Sequence, residues 1–175
     1  MNNKTIPNTI ERTLNDDDYI VSKTDTKGRI TYANRIFMTL SSYTEQELLG
    51  APHNIVRHPD MPGLMFKRLW DTLRGGREFH FYTKNLAKDG SYYWVFANVT
   101  PSFDQRGQPI GYFSVRRKPK AAGVKTFQEL YRSMRQAERR TAGKQAALAA
   151  SARIYDDFLA AQGANHEAFI LALQA

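Results

Sequence analysis

The sequence predicts an α+β fold: a five-stranded antiparallel sheet with short helices on one face, followed by a C-terminal helical extension. Three observations predict it. A β-hairpin pattern opens the first globular stretch, with strand-like residues on either side of Asp25-Thr-Lys-Gly28. The apolar residues then change to helical spacing between Asn34 and Gly76. Three β-rich runs follow: Phe79 to Asn85, Tyr92 to Thr100 and Ile110 to Arg117. The expected order is ββαααβββ.

Each element has a local reason. Tyr19 to Thr24 and Arg29 to Ala33 are rich in Ile, Val, Thr and Tyr and enclose a turn that Gly28 can close. Ile36, Phe37 and Leu40 recur at helical spacing after Asn34, before Ser41 and Ser42 interrupt. Thr44 and Glu47 form a capping box, and Gly50 suits a left-handed stop, so the helix between them is little more than one turn. Pro52, Pro59 and Pro62 make the chain from His53 to Pro62 mostly irregular. Leu64, Met65, Leu69, Trp70 and Leu73 then form the stripe of a longer helix ended by Gly75 and Gly76. Lys88-Asp-Gly90 and Gln105-Arg-Gly107 are turn sequences between the last three strands.

Three segments are expected: residues 1–17 as a flexible polar lead-in, 18–120 as one compact domain, and 124–175 as two or three helices. Lys118 to Gly123 reads as a linker by composition. Beyond it Phe127, Leu130, Tyr131, Met134 and Ala137 make one amphipathic stripe, and Leu148, Ala152, Tyr155, Phe158 and Leu159 a second. Asn165 can cap a last segment carrying Phe169, Ile170 and Leu173.

The chain has no cysteine, which removes disulfides and thiolate chemistry and leaves any redox role to a bound cofactor. It shows no signal peptide and no apolar run of membrane-crossing length, so a cytoplasmic location without membrane insertion is expected. Of the net charge of +8, much lies between Arg132 and Lys144. That run reads as a solvated helix face or as a contact for an acidic partner surface; no nucleic-acid motif accompanies it. No carboxylate pair, Ser/His/Asp set or phosphate loop stands out, so no catalytic or metal-ligating residues are assigned and the chain is not expected to be an enzyme.

Asp25, Gly28, Ile30, Ala33, Asn34 and Phe37, then Tyr43, Thr44, Glu47, Leu48 and Gly50, then Lys88, Gly90, Tyr93, Trp94 and Val95, together resemble the PAS family. Between them the run Pro-His-Asn-Ile-Val-Arg-His-Pro-Asp-Met-Pro, Pro52 to Pro62, is similar to the PAS domain of bacterial aerotaxis receptors, as is the following helix with Phe66, Leu69 and Trp70. The resemblance covers about Asp18 to Lys120. It implies a PAS fold, a non-covalently bound FAD, and redox or oxygen sensing coupled to the chemotaxis machinery. Those receptors also carry a membrane anchor and a methyl-accepting helix bundle, which these 175 residues do not contain. The expectation is therefore a sensor that passes its state to a chemoreceptor or chemotaxis component, or that self-associates through the PAS domain and tail helices.

Candidate cofactor-binding residues follow. Arg57, His58 and Asp60 share the proline-pinned loop; Arg57 can meet a phosphate or pair with Asp60 to hold the loop closed. His58 can donate to a flavin or ligate a haem, for which His53 and His80 are further candidates. Asn34 and Asn85 can hydrogen-bond the polar edge of a flavin ring, although Asn34 also suits a helix cap. The resemblance marks Asn85 as the ring contact, its hydrogen bond changing with redox state. Trp70 and Phe79 supply aromatic surface; flavin-binding relatives usually carry tryptophan near Phe79, and this departure keeps FMN, haem and a cofactor-free interaction module as alternatives to FAD.

Overall fold

The computed structural model describes residues 5–175. Strands β1 (Tyr19–Thr24), β2 (Ile30–Ala33), β3 (Phe79–Leu86), β4 (Tyr92–Phe103) and β5 (Pro109–Arg117) form one antiparallel sheet in the order β2-β1-β5-β4-β3. Between β2 and β3 lie α1 (Arg35–Ser41), α2 (Glu45–Leu48), a 3-10 turn (His53–Val56) and α3 (Gly63–Arg74). The tail forms α4 (Ala121–Arg140), α5 (Lys144–Ala161) and α6 (His166–Gln174). The predicted five strands and mid-chain helices are all present, because caps and turns did what their residue types require. Asn34 caps α1, accepting from the Phe37 N–H, and Thr44 with Glu47 closes the capping box of α2.

The sheet is covered on both faces. Phe81, Thr83 and Asn85 of β3 face α3, whereas Tyr82, one residue out of phase, faces the tail. Side chains alternate along a strand, so the near-continuous burial of β3 means that both of its faces are packed. On the tail side Phe127 stacks on Tyr82 at 5.1 Å between ring centroids, and Tyr131 stacks on Trp94 at 6.3 Å. The Tyr131 hydroxyl donates to the Tyr82 carbonyl at 2.8 Å. The Tyr82 hydroxyl donates to Gln174 Oε1 at 2.9 Å, and Gln174 Nε2 returns to the Lys118 carbonyl at 3.0 Å. Helix α5 packs on both α4 and α3 and so joins the two helical layers.

Two expectations about segments are corrected. Residues 5–17 of the lead-in run along the sheet end rather than free: Asn8 N–H donates to the Gly90 carbonyl, Arg12 N–H to that of Tyr92, and Leu14 is buried. Residues 1–4 of that lead-in lie outside the described residues. The supposed linker at Ala121 to Gly123 is already helix α4. Gly123 is there for closeness rather than flexibility: a Cβ at that position would sit 2.1 Å from Tyr82 Cζ.

Candidate functional site

A cavity of about 400 Å³ lies between the sheet and α3, within the size range of cofactor sites. Helix α3 supplies Phe66, Leu69, Trp70 and Leu73, and the sheet supplies Phe81, Ala97 and Val99 as apolar wall. Thr83, Asn85, Ser114 and Arg116 form its polar lining on the strands, with His53 and Arg57 from the proline-rich segment. Trp70 is brought to the cavity by a close approach: a Cβ on Gly28, whose φ is +77°, would lie 3.1 Å from the Trp70 ring. Tyr112 meets that indole edge-on at 5.3 Å.

Of the predicted residues, Arg57, Trp70 and Asn85 come together here and four do not. Asn34 is consumed as a cap: its Oδ1 accepts from Phe37 and Val21 N–H, and its Nδ2 donates to the Tyr19 carbonyl at 2.7 Å. His58 is a buried loop residue, its Nδ1 accepting from Asp60 N–H at 3.1 Å; burial, with Lys84 nearby, pushes its pKa down to about 4. Asp60 pairs with Lys84 at 2.8 Å rather than with Arg57, so the proposed clamp is not formed. Phe79 stacks on His166 at 4.6 Å, beside α6. Arg57 instead lies over the Phe66 ring at 4.0 Å and bridges its backbone to Asn85.

The three candidate haem ligands are dispersed as well. His80 Nε2 meets Asn98 Nδ2, and His58 is outside the cavity. Only His53 lines it, and its Nε2 is 3.0 Å from Ser22 Oγ. Desolvation and the Arg116 charge hold His53 neutral, its pKa near 3.

Arg116 is the residue that sequence reasoning missed. It is 2% exposed, yet only its Nη2 has a partner, donating to Ser22 Oγ at 2.6 Å. Its Nε and Nη1, the Asn85 Nδ2 and the Tyr93 hydroxyl are buried without hydrogen-bond partners. Burial lowers the Arg116 pKa to about 10, which still leaves it charged at neutral pH. An arginine opening a surface-like Arg-Arg-Lys run gives no sequence signal of this burial; only the register of β5 against β1 and β4 turns it inward.

A second missed residue links the site to the tail. Helix α3 has no side-chain cap of its own. Glu138 of α4 supplies one, accepting from Gly63 N–H at 2.9 Å and Leu64 N–H at 3.1 Å. Arg135 donates to the same carboxylate at 3.0 Å and to the Pro59 carbonyl at 3.0 Å. The remaining arginines of the basic stretch, Arg132, Arg139 and Arg140, line a separate groove of about 500 Å³ with Asp60 and Lys84.

This geometry agrees with the comparisons. Residues 30–116 match the family model described as the PAS fold. The chain belongs to the PAS-fold family. It is 41% identical to the aerotaxis receptor of Escherichia coli strain K12 over 69% of its length and 24% of the receptor. It is 33% identical to the biofilm dispersion protein BdlA of Pseudomonas aeruginosa over 48% of its length and 20% of that protein. It therefore spans about a quarter or less of these curated relatives. Among solved structures, a light-oxygen-voltage domain studied with a flavin analogue matches with TM-score 0.56 and 24% identity, over 63% of this chain and 83% of that one. At that identity the likeness speaks for the fold. Among the described residues no helix is long and apolar enough to cross a membrane.

Proposed function

We propose that this PAS protein is a cytoplasmic redox or oxygen sensor of the energy-taxis kind, holding FAD non-covalently and signalling to a partner rather than turning over a substrate. The observation that carries the reading is the cavity itself: apolar walls around a cluster of buried donors that the protein leaves without partners. A flavin ring is planar and apolar on its faces and has carbonyl and ring-nitrogen acceptors on its edge, so it fits this donor set. The 41% identity to an aerotaxis receptor supports the same reading. Haem fits less well, because the single histidine in the lining is engaged by Ser22.

When bound, a flavin supplies a reversible redox couple whose edge changes charge and protonation. The response belongs to the residues around it. Asn85 carries a free amide on β3, and its backbone is bridged to Arg57. Arg57 leads into the loop whose Pro59 carbonyl is held by Arg135, and Glu138 caps the cavity helix. A re-paired Asn85 thus reaches α4 through the Arg57 bridge, the short loop backbone to Pro59 and the Arg135 hydrogen bond, and about 1–3 kcal/mol of differential interaction is enough to shift such an equilibrium. The tail then presents its state to a chemoreceptor or chemotaxis component, or to a second copy of the chain. The test is the visible spectrum of protein purified from riboflavin-supplied cells, before and after dithionite. Flavin bands that bleach support the reading; a Soret band or a colourless folded protein refutes it.

A further inference from the structure

Arg116 is a full charge in the wrong place for a purely structural residue. Taking an ion out of water costs several kcal/mol even after relaxation, and it is tolerated when a counter-charge or a full set of hydrogen bonds accompanies it. Among the described residues no carboxylate pairs with Arg116. Its partial compensations are the Ser22 hydroxyl and the face of Phe37, 4.4 Å from the guanidinium carbon. The ionisable neighbours do not supply charge: His53 is neutral, and burial raises the Tyr93 phenol well above its ordinary value. The free Nε and Nη1 belong to a side chain that lines the cavity, as does the free Asn85 Nδ2. A neutral hydrocarbon ligand would leave all three donors buried and unmet.

We propose that Arg116 is the charge-recognising residue of this cavity: the ligand turns an acceptor edge that carries negative charge toward it, and Asn85 adds a neutral donor beside it. The inference rests on the flavin reading for the identity of the ligand but not for its charge. For a flavin, the ligand is held more tightly in the more negative of its redox states, so Arg116 also biases the redox balance of the sensor. The Ser22 hydroxyl accepts from Arg116 Nη2, lies 3.0 Å from His53 Nε2 and so aims the guanidinium fork.

The test uses the full chain as wild type, Arg116→Met and Arg116→Lys, with two probes. FAD, in oxidised and dithionite-reduced form, is titrated into each protein after flavin removal; benzoate, a planar anion with none of the other features of a flavin, is scored by thermal shift. Arg116→Met is expected to fold with a melting point at or above that of the wild type. It should bind FAD at least about tenfold more weakly, the worth of one charge-assisted hydrogen bond, with the larger loss in the reduced form. Benzoate should stabilise the wild type and Arg116→Lys but not Arg116→Met. If FAD binds wild type and Arg116→Met alike, the Arg116 inference falls and the flavin reading stands. If the wild type takes no FAD while benzoate still separates the variants as stated, the flavin reading falls and Arg116 stands. An Arg116→Met protein that melts well below the wild type makes the arginine structural and overturns the proposal.

Discussion

Replacing Glu138 with alanine tests whether the tail helix α4 caps the cavity helix α3. The carboxylate is 6% exposed and accepts from two otherwise uncapped N–H groups of α3, at 2.9 and 3.1 Å. Hydrogen bonds to a charged group contribute about 1.5–3 kcal/mol each, and water admitted to the half-buried Gly63 returns part of that. The Arg135 ion pair, with one partly exposed member, adds less than about 1 kcal/mol. Glu138→Ala should therefore lower stability by about 2–4 kcal/mol. Glu138→Gln keeps one acceptor but turns an NH₂ toward donors, and should lose about half as much. Urea denaturation gives the totals, and amide exchange at Gly63 and Leu64 gives the location. A loss below about 0.5 kcal/mol for alanine, or a full loss with unchanged exchange at these two amides, would refute the capping argument.

Three further outcomes are expected. Gly123→Ala gains about 1 kcal/mol of helix propensity but drives a methyl into Tyr82, which is fully buried and held by Phe127 and Gln174; the net loss should be about 2 kcal/mol, and a rise in the urea midpoint would show that α4 can shift away. His53, His58 and His166 have folded pKa values near 3, 4 and 4, below the ordinary histidine value, so the unfolded chain binds more protons between about pH 6.5 and 4. Stability is then full above that window and falls through it by up to about 1.4 kcal/mol per pH unit per histidine; His166→Gln should flatten the fall, and a melting point constant from pH 7 to 4.5 would contradict the assignment. Arg57→Ala should lower flavin occupancy while Asp60→Ala leaves it unchanged, because only Arg57 lines the cavity; equal effects on the absorbance ratio of purified protein would remove Arg57 from the site.

Much of the architecture was legible in the chain because it is decided locally. A capping box, a glycine turn or an alternating β-run needs only neighbours a few residues away, and all five strands, α1, α2 and α3 follow from such signals. Of the candidates the sequence offered, Arg57, Trp70 and Asn85 line the cavity together, although they lie on a loop, a helix and a strand. Asn34, His58, Asp60 and Phe79 came from the same PAS-like stretches, yet each is turned to a neighbour the sequence does not reveal: Asn34 caps α1, His58 Nδ1 accepts from the Asp60 amide, Asp60 pairs with Lys84 and Phe79 stacks on His166.

What the sequence by itself determined is the order of elements, the PAS-like pattern and the aromatic wall, since these rest on periodicity and short-range chemistry. What only the tertiary structure decided is which face of each strand meets which layer. That choice buries Tyr82 and Trp94 under α4, brings Glu138 to the start of a helix 74 and 75 residues away in the chain, and turns Arg116 into the cavity. A strand's two faces are equivalent until something packs on them, and the desolvation that leaves Arg116 a buried charge exists only once both layers have closed.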